Sequence, residues 1–345
     1  MSETQKMKAV GFYQPISKTE PAPIVDMEIE IPKPQGRDLL VEVRAVSVNP
    51  TDWKSYLGKD ANDSSLTLVG RDVAGVVVEV GEECTLFKPG DEVFYAGTNI
   101  RPGGHSEFHL VDERIVGKKP KSIDFAHAAA LPLTTITAWE ALFDRMGISK
   151  NPADNAGKSI LIIGAAGGVG SVATQIAKLA GLTVIGTASR RETIEWTKDH
   201  GSDHTIDHHK PFGPQLKELG LEGVPYIFVL TNPDDHMEQI ADVISPQGKI
   251  GTILPFEKPF DRRIFAKSIT IGFELMYTRF VYQTEDMIEQ HRILNQAAEW
   301  VDTGKLRSTL TECITPINAA NVQKAFQKSM SGSTIGKIVL EGFGK

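Results

Sequence analysis

The chain has 345 residues, 41% hydrophobic and 23% charged, with a formal net charge of −7. That length exceeds what one hydrophobic core usually supports, so two domains are expected, and an acidic balance without a dense Lys/Arg block excludes nucleic acid or an anionic membrane as the main partner. The two cysteines, Cys84 and Cys313, form no C-x-x-C pair, which excludes a disulfide framework and a cysteine-rich zinc site.

No apolar run is long enough to cross a bilayer, and MSETQKMKAV lacks an apolar stretch after a basic one, so a cytoplasmic protein acting on small molecules is expected. From residue 7 to about 117 the chain reads as short strands with Gly/Pro punctuation: MKAVGFY, VDMEIEI, LLVEVRAVSV, VAGVVVEVG, DEVFYAG and SEFHLV. The texture turns helical at FAHAAALPLTTITAWEALFDRMGI, with Pro132 as a break. Six strand-like runs then alternate with helical stretches: SILIIGA, LTVIGTA, DHTID, PYIFVL, GKIGTIL and SITIGF. That alternation specifies an α/β fold with a parallel, doubly wound sheet. Two helical segments, EDMIEQHRILNQAAEWVDTGK and NAANVQKAFQKSM, and a final strand in GKIVLEGF complete the chain.

The first of the six runs enters a glycine turn, Ala165, Ala166, Gly167, Gly168, Val169, Gly170. Gly167 lets backbone N–H groups approach a pyrophosphate, Gly170 lets the helix lie close on the strand, and the helix N-terminus adds partial positive charge. A strand before the turn and a helix after it are the context such a motif needs. At the end of the second run an NAD binder places an acidic residue for the ribose, whereas this chain has Ser189, Arg190 and Arg191. Two arginines and a hydroxyl suit a 2′-phosphate, so NADP(H) is expected. Ser189 with Glu192 also reads as a capping box, and the arginines as a solvated helix face. Thr231 and Asn232 follow the fourth run, where the strand order reverses and ligands bind in doubly wound sheets; Ile253 and Leu254 end the fifth and can offer backbone groups to a carboxamide.

Taken with Asn49-Pro50-Thr51-Asp52, Gly70-Arg71-Asp72-Val-Ala-Gly, FKPGDEVF, LPLTTITAW and the closing GKIVL, this order resembles the medium-chain dehydrogenase/reductase superfamily over nearly the whole length. In particular the chain looks like the zinc-free quinone oxidoreductase and crystallin-like branch. The resemblance implies a β-rich GroES-like catalytic domain from residues 1–130 plus 275–345, and a Rossmann NADP-binding domain from 131–274. It also implies a homodimer joined through the cofactor-domain sheet edge near residues 250 to 273. His208 falls where relatives place a tyrosine beside the adenosine phosphate, and Lys337 at a family position near the active-site cleft, although a lysine entering a terminal strand is often simply solvated.

Zinc-dependent members carry Cys, His and Cys ligands where this chain has Asn49, Arg71 and, by its place before the helix, Leu133. Asparagine is a poor zinc ligand and arginine does not deprotonate to become one, so no metal is expected. His105 and His109 lie in a strand-like segment without a third ligand nearby. Arg71 and Asp72 read as an ion pair filling the space of the metal. Without a Lewis acid, hydride transfer suits an acceptor that is already electrophilic, a quinone or an α,β-unsaturated carbonyl. Asn49, Asp52, Tyr56 and Thr137 are expected near the nicotinamide. Asn49 is either a donor to the substrate carbonyl or a turn residue, Tyr56 either a proton donor or a cap on the pocket, and Asp52 either catalytic or structural. An NADP-dependent alcohol or aldehyde dehydrogenase-like enzyme, or an NADPH-binding sensor without turnover, stays open as an alternative.

Overall fold

The structure, a computed structural model, describes residues 5–14 and 20–344. It divides into two compact units, one of residues 1–133, 277–304 and 308–345 and one of residues 134–276 and 305–307.

In the first unit the alternating and mixed apolar runs form β1 (Lys6–Gly11), β2 (Val25–Glu30), β3 (Asp38–Ser47), β4 (Asp72–Val80), β5 (Glu92–Tyr95), β6 (Phe108–Asp112) and β7 (Val116–Lys118). Helix α1 (Pro50–Leu57) follows β3 and α2 (Phe125–Ala129) follows β7; α3 (Pro132–Trp139), which from Thr134 on belongs to the second unit, opens on the proline that separates it from α2. Proline has no N–H to lose at a helix start, which is why the break falls there.

The second unit carries β8 (Ser159–Ile163), α4 (Gly168–Leu179), β9 (Thr183–Thr187), α5 (Arg191–Asp199), β10 (His204–Ile206), α6 (Phe212–Glu218), β11 (Val224–Val229), α7 (Met237–Val243), β12 (Ile244–Thr252), α8 (Arg262–Ala266) and β13 (Thr270–Phe273). Its six strands are all parallel, in the order β10-β9-β8-β11-β12-β13. Every residue of β8 is buried, because the central strand of a parallel sheet is covered on both faces, and this is why SILII is continuously apolar rather than alternating. Leu161, Ile163, Ile227, Val229, Ile240 and Ile250 make one core cluster on this sheet.

The chain then returns to the first unit through α9 (Thr278–Val281), α10 (Glu289–Asp302), β14 (Leu310–Ile314), α11 (Ala319–Met330) and β15 (Lys337–Glu341). There β3 is the hub, pairing antiparallel with β4, β6 and β15, in a sheet ordered β14-β15-β3-β4-β5-β7. The ten residues of β3 are long enough to serve three neighbours at different heights, and the β15 pairing sets Ser47 opposite Val339. The C-terminal strand thereby reaches the segment that carries Asn49. Strands β7 and β14 were not expected: β7 is three residues long, and LTECI alternates burial too weakly to stand out.

Candidate active site

Asn49 lies where β3 ends and α1 begins, with Pro50 at the first helical position. Asp52, at the third, accepts the Asn49 N–H at 2.8 Å on one oxygen and the Gly70 N–H at 3.1 Å on the other. The carboxylate thus closes the helix start and pins the loop before β4. Burial raises the Asp52 pKa to about 6, opposed chiefly by the charge of Arg71.

The adjoining Asp72 opens β4 and is also fully buried. Its partner is Lys337, with Nζ 3.1 Å from Oδ2. This corrects the expected Arg71–Asp72 pair. The reason is topological: β15 is hydrogen-bonded to β3 beside β4, so the first residue of the last strand delivers its ammonium to the first residue of β4. Lys337 Nζ donates to Val48 O at 2.8 Å, Asn49 Oδ1 at 2.5 Å and Asp72 Oδ2. Those acceptors use all three ammonium protons, so Lys337 is a buried clamp and not a solvated residue. Asn49 Nδ2 donates to Asp72 Oδ2 at 2.7 Å and Leu133 N–H to Oδ1 at 2.6 Å. Both ends of the Asn49 amide are therefore engaged within the protein. Burial pushes the Asp72 pKa up, with Lys337 as the main opposing charge.

Arg71 turns away from Asp72. Its Nη1 donates to Thr98 O at 2.6 Å and Arg101 O at 3.0 Å, anchoring the loop between β5 and β6. His109 supports the same loop, with Nε2 2.9 Å from Pro102 O and Nδ1 2.9 Å from the Tyr95 hydroxyl. His105 is fully buried with neither ring nitrogen bonded, and burial, reinforced by Arg71, pushes its pKa down to about 3. The two histidines are thus held apart in role, and among the described residues no group of three His, Cys, Asp or Glu is placed to hold a metal.

Tyr56 packs its ring edge-on to Phe12, centroids 4.9 Å apart, and donates its hydroxyl to Ala22 O at 2.7 Å. Its phenol proton is engaged by the segment before β2. A hydroxyl that the sequence did not single out lies nearer the cluster: Tyr277 OH is 3.3 Å from Thr51 Oγ1. Burial, then Asp52, raises the Tyr277 pKa well above that of a free phenol. No local pattern links positions 51 and 277, so only the fold could bring them together.

On the parallel sheet, Ala166 to Gly170 follow β8, Ser189 to Arg191 follow β9, His208 follows β10, Thr231 and Asn232 follow β11, and Ile253 follows β12. All therefore stand at the carboxyl ends of parallel strands. Thr137 lies within α3 and is buried. The two glycines of the turn differ in cause. A Cβ on Gly170 would meet Gly164 O at 2.3 Å, whereas one on Gly167 meets nothing nearer than 3.6 Å. Close helix packing demands the first; the second, at the N-cap of α4, is left bare beside the N-terminal amides, as a pyrophosphate cradle requires.

The expected Ser189–Glu192 capping box is corrected by one residue. Arg190 is the N-cap, and its N–H donates to the Thr193 hydroxyl at 3.1 Å. Threonine at the third helical position serves as well as glutamate and leaves Glu192 to pair with Arg190 at 3.3 Å, while Arg191 pairs with Glu195 at 2.8 Å. Asn232 caps a short turn by accepting from Asp234 N–H at 3.2 Å. The His208 ring lies against that of His209, tilted by 49° with centroids 4.2 Å apart.

A six-stranded doubly wound sheet with a bare glycine turn, together with a β-rich unit around a buried polar cluster, defines a nicotinamide-type oxidoreductase. Family models agree: residues 35–121 match the alcohol dehydrogenase GroES-like domain and residues 168–291 the zinc-binding dehydrogenase domain. A zinc-type alcohol dehydrogenase-like protein of Staphylococcus epidermidis is 40% identical over 335 residues, 97% of this chain and 99% of that one. A chloroplast envelope quinone oxidoreductase homolog of Arabidopsis thaliana is 30% identical over 91% of this chain and 93% of its own. A crystal structure from Rhizobium etli CFN 42, provisionally described as a zinc-dependent alcohol dehydrogenase, superposes with TM-score 0.93 at 50% identity, covering 99% of this chain and 100% of that one. The chain belongs to the medium-chain dehydrogenase/reductase superfamily, whose members are oxidoreductases that use nicotinamide cofactors.

The zinc in several of these names does not fit this donor set. Asn49 has its amide oxygen on an ammonium, Arg71 is a cation, Leu133 offers only an N–H, and Asp72 is neutralised by Lys337. Divalent zinc needs three or four thiolate, imidazole or carboxylate donors, and two resident cations would repel it.

Proposed function

We propose that this chain is an NADPH-dependent reductase that transfers hydride to a quinone or an α,β-unsaturated carbonyl without a catalytic metal. The observation that carries the reading is Lys337 on Asp72: an ammonium stands against the carboxylate of the cluster where relatives of the zinc type bind metal. An acceptor whose own conjugation spreads the developing negative charge needs no Lewis acid.

The cofactor supplies the hydride. Of this chain's residues, the α4 N-terminus and Gly167 would take the pyrophosphate, and Ser189, Arg190 and Arg191 the 2′-phosphate. The glutamates now paired with the arginines are no obstacle, because exposed pairs contribute at most about 1 kcal/mol and a phosphate dianion outcompetes a single carboxylate. His208 would flank the adenosine, Thr231 and Asn232 the ribose, and Ile253 the carboxamide. Asn49, Asp52 and Lys337 belong to the polar cluster of the first unit. The test is oxidation of NADPH and of NADH with 9,10-phenanthrenequinone and with a simple enone, with zinc measured on the same sample. NADPH-selective turnover in zinc-free protein is expected; turnover of simple aldehydes alone would overturn the reading.

A homodimer through the edge of the parallel sheet belongs to the same proposal. β13 is an edge strand; its last residue, Phe273, is 55% exposed and Phe265 in α8 is 91% exposed. An unpaired edge flanked by aromatic surface invites a second copy. Elution at monomer mass in size-exclusion chromatography would exclude it.

A further inference from the structure

A hydroxyl and an indole stand behind the glycine turn of the second unit. Ser171, fully buried at the end of the first turn of α4, donates its hydroxyl to Gly167 O at 2.7 Å, and Trp196 Nε1 donates to the same hydroxyl oxygen at 2.8 Å. The Ser171 N–H also reaches Gly167 O, at 2.9 Å, so this carbonyl takes two hydrogen bonds from one residue. The indole is itself held: its ring stacks on that of His200, centroids 4.0 Å apart, and His200 Nδ1 donates to the Trp196 carbonyl at 2.8 Å.

Helix geometry supplies one of the two bonds at Gly167 O; the second comes from the side-chain relay. An indole N–H can only donate, so it takes a lone pair of the Ser171 hydroxyl and turns the hydroxyl proton toward the carbonyls. There Gly167 O, at 2.7 Å, is the nearer acceptor and Ala166 O, at 3.4 Å, the farther. The peptide joining Gly167 to Gly168 is planar and trans, so drawing its carbonyl into the helix aims the Gly168 N–H out of the helix end. That amide is among the donors a helix leaves without an internal partner, the kind that meets a phosphate. A link between two glycines is the one most free to turn over, and a donor fixed beforehand binds without that ordering cost.

We propose that Trp196 is a positioning residue for the cofactor: through the Ser171 hydroxyl it locks the Gly167–Gly168 peptide with its N–H facing the pyrophosphate. The inference rests on the nucleotide reading of the turn given above and adds to it a residue that acts through another. It also gives α5 two tasks. The start of the helix presents Arg190 and Arg191, and its second turn, which carries Trp196, braces the turn before α4. Helix packing by itself would be served by a phenylalanine at 196, which can stack on His200 but has no N–H.

The test is calorimetric titration of the whole protein with ADP-ribose, which carries the pyrophosphate, and with adenosine 2′-monophosphate, which does not. Trp196→Phe keeps a ring on His200 and removes the N–H. It should weaken ADP-ribose binding about threefold to tenfold, the scale of one neutral hydrogen bond, and leave adenosine 2′-monophosphate binding unchanged. Ser171→Ala should show a loss of the same kind, and adding Trp196→Phe to it should cost nothing further, because the indole acts only through that hydroxyl. Unchanged ADP-ribose affinity in Trp196→Phe, equal losses for both ligands, or additive losses in the double variant would each overturn the proposal, as would native protein that does not bind ADP-ribose. Should Trp196→Phe fail to fold, Ser171→Ala decides by the same ratio of the two ligands. Native protein that binds ADP-ribose but not adenosine 2′-monophosphate, or that reduces no quinone or enone, defeats the NADPH-dependent reductase reading, whereas the ADP-ribose titrations and the double variant still answer for Trp196.

Discussion

Lys337 Nζ lies 3.1 Å from Asp72 Oδ2, both side chains almost wholly buried. The pair joins the last strand to the loop that carries Asn49, so it organises the candidate active site as well as the fold. Removing one partner leaves the other as an unpaired buried charge. Lys337→Met should therefore cost about 3–5 kcal/mol in chemical denaturation. The double variant Lys337→Met with Asp72→Asn should recover much of the loss, because no charge is then stranded. A single variant as stable as the parent would show the pair to be dispensable.

Metal removal follows from the same two residues. Dialysis against a chelator should leave reductase activity and thermal stability unchanged, and purified protein should contain far less than one zinc per chain. Activity lost on chelation and restored by zinc would contradict the donor set described above.

The two glycines of the nucleotide turn separate fold from ligand. Gly170→Ala drives a methyl to within 2.3 Å of the Gly164 carbonyl and should destabilise the second unit by about 1–3 kcal/mol, as overpacking does. Gly167→Ala has room, with no neighbour nearer than 3.6 Å, so its stability should stay near that of the parent while NADPH affinity falls at least tenfold. Equal affinity for NADPH in Gly167→Ala would remove that position from the cofactor site.

Much of this architecture was legible because it is written locally. The six strands of the parallel sheet and the helices at 289–302 and 319–330 carry strong periodicity or continuous apolar runs, and the strands and helices form where those patterns lie. The cluster was legible only in part. Asn49, Asp52, Arg71 and Asp72 stand close in sequence, but who pairs with whom depends on β15, nearly three hundred residues later. Sequence adjacency suggested Arg71 for Asp72, and strand pairing delivered Lys337 instead. Tyr277 lacked any local signal, since its partner Thr51 is reached only through the return of the chain after β13.

Cofactor choice tests the pair after β9. The Arg190 and Arg191 side chains are exposed, and pair with Glu192 and Glu195 respectively. Replacing both arginines by alanine should weaken NADPH binding about 10- to 100-fold, the scale of one or two charge-assisted hydrogen bonds, and leave NADH binding nearly unchanged. The readout is fluorescence titration of each nucleotide at fixed ionic strength. Parallel losses for both would mean that the arginines serve the helix and not the 2′-phosphate.

A pH dependence of stability should arise from Glu274. It is buried beside Glu140, and Arg145 serves both, with Nε 3.0 Å from Glu274 Oε2 and Nη2 3.8 Å from Glu140 Oε2. One cation cannot neutralise two desolvated carboxylates. Burial, then the neighbouring Glu140, raises the Glu274 pKa to about 9 from 4.5. The native state therefore holds a proton that the unfolded chain has already released, and stability falls as pH rises across that window, by up to about 1.4 kcal/mol per unit for one proton, before levelling above it. Glu274→Gln keeps an acceptor for Arg145 and has no proton to lose. Urea unfolding from pH 6 to pH 10 should show a declining midpoint in the parent and a flatter one in Glu274→Gln, so that the variant is the more stable protein at the alkaline end. The same decline in both proteins would mean that Glu274 is already ionised in the native state, with Arg145 taking its charge and leaving Glu140 to hold the proton.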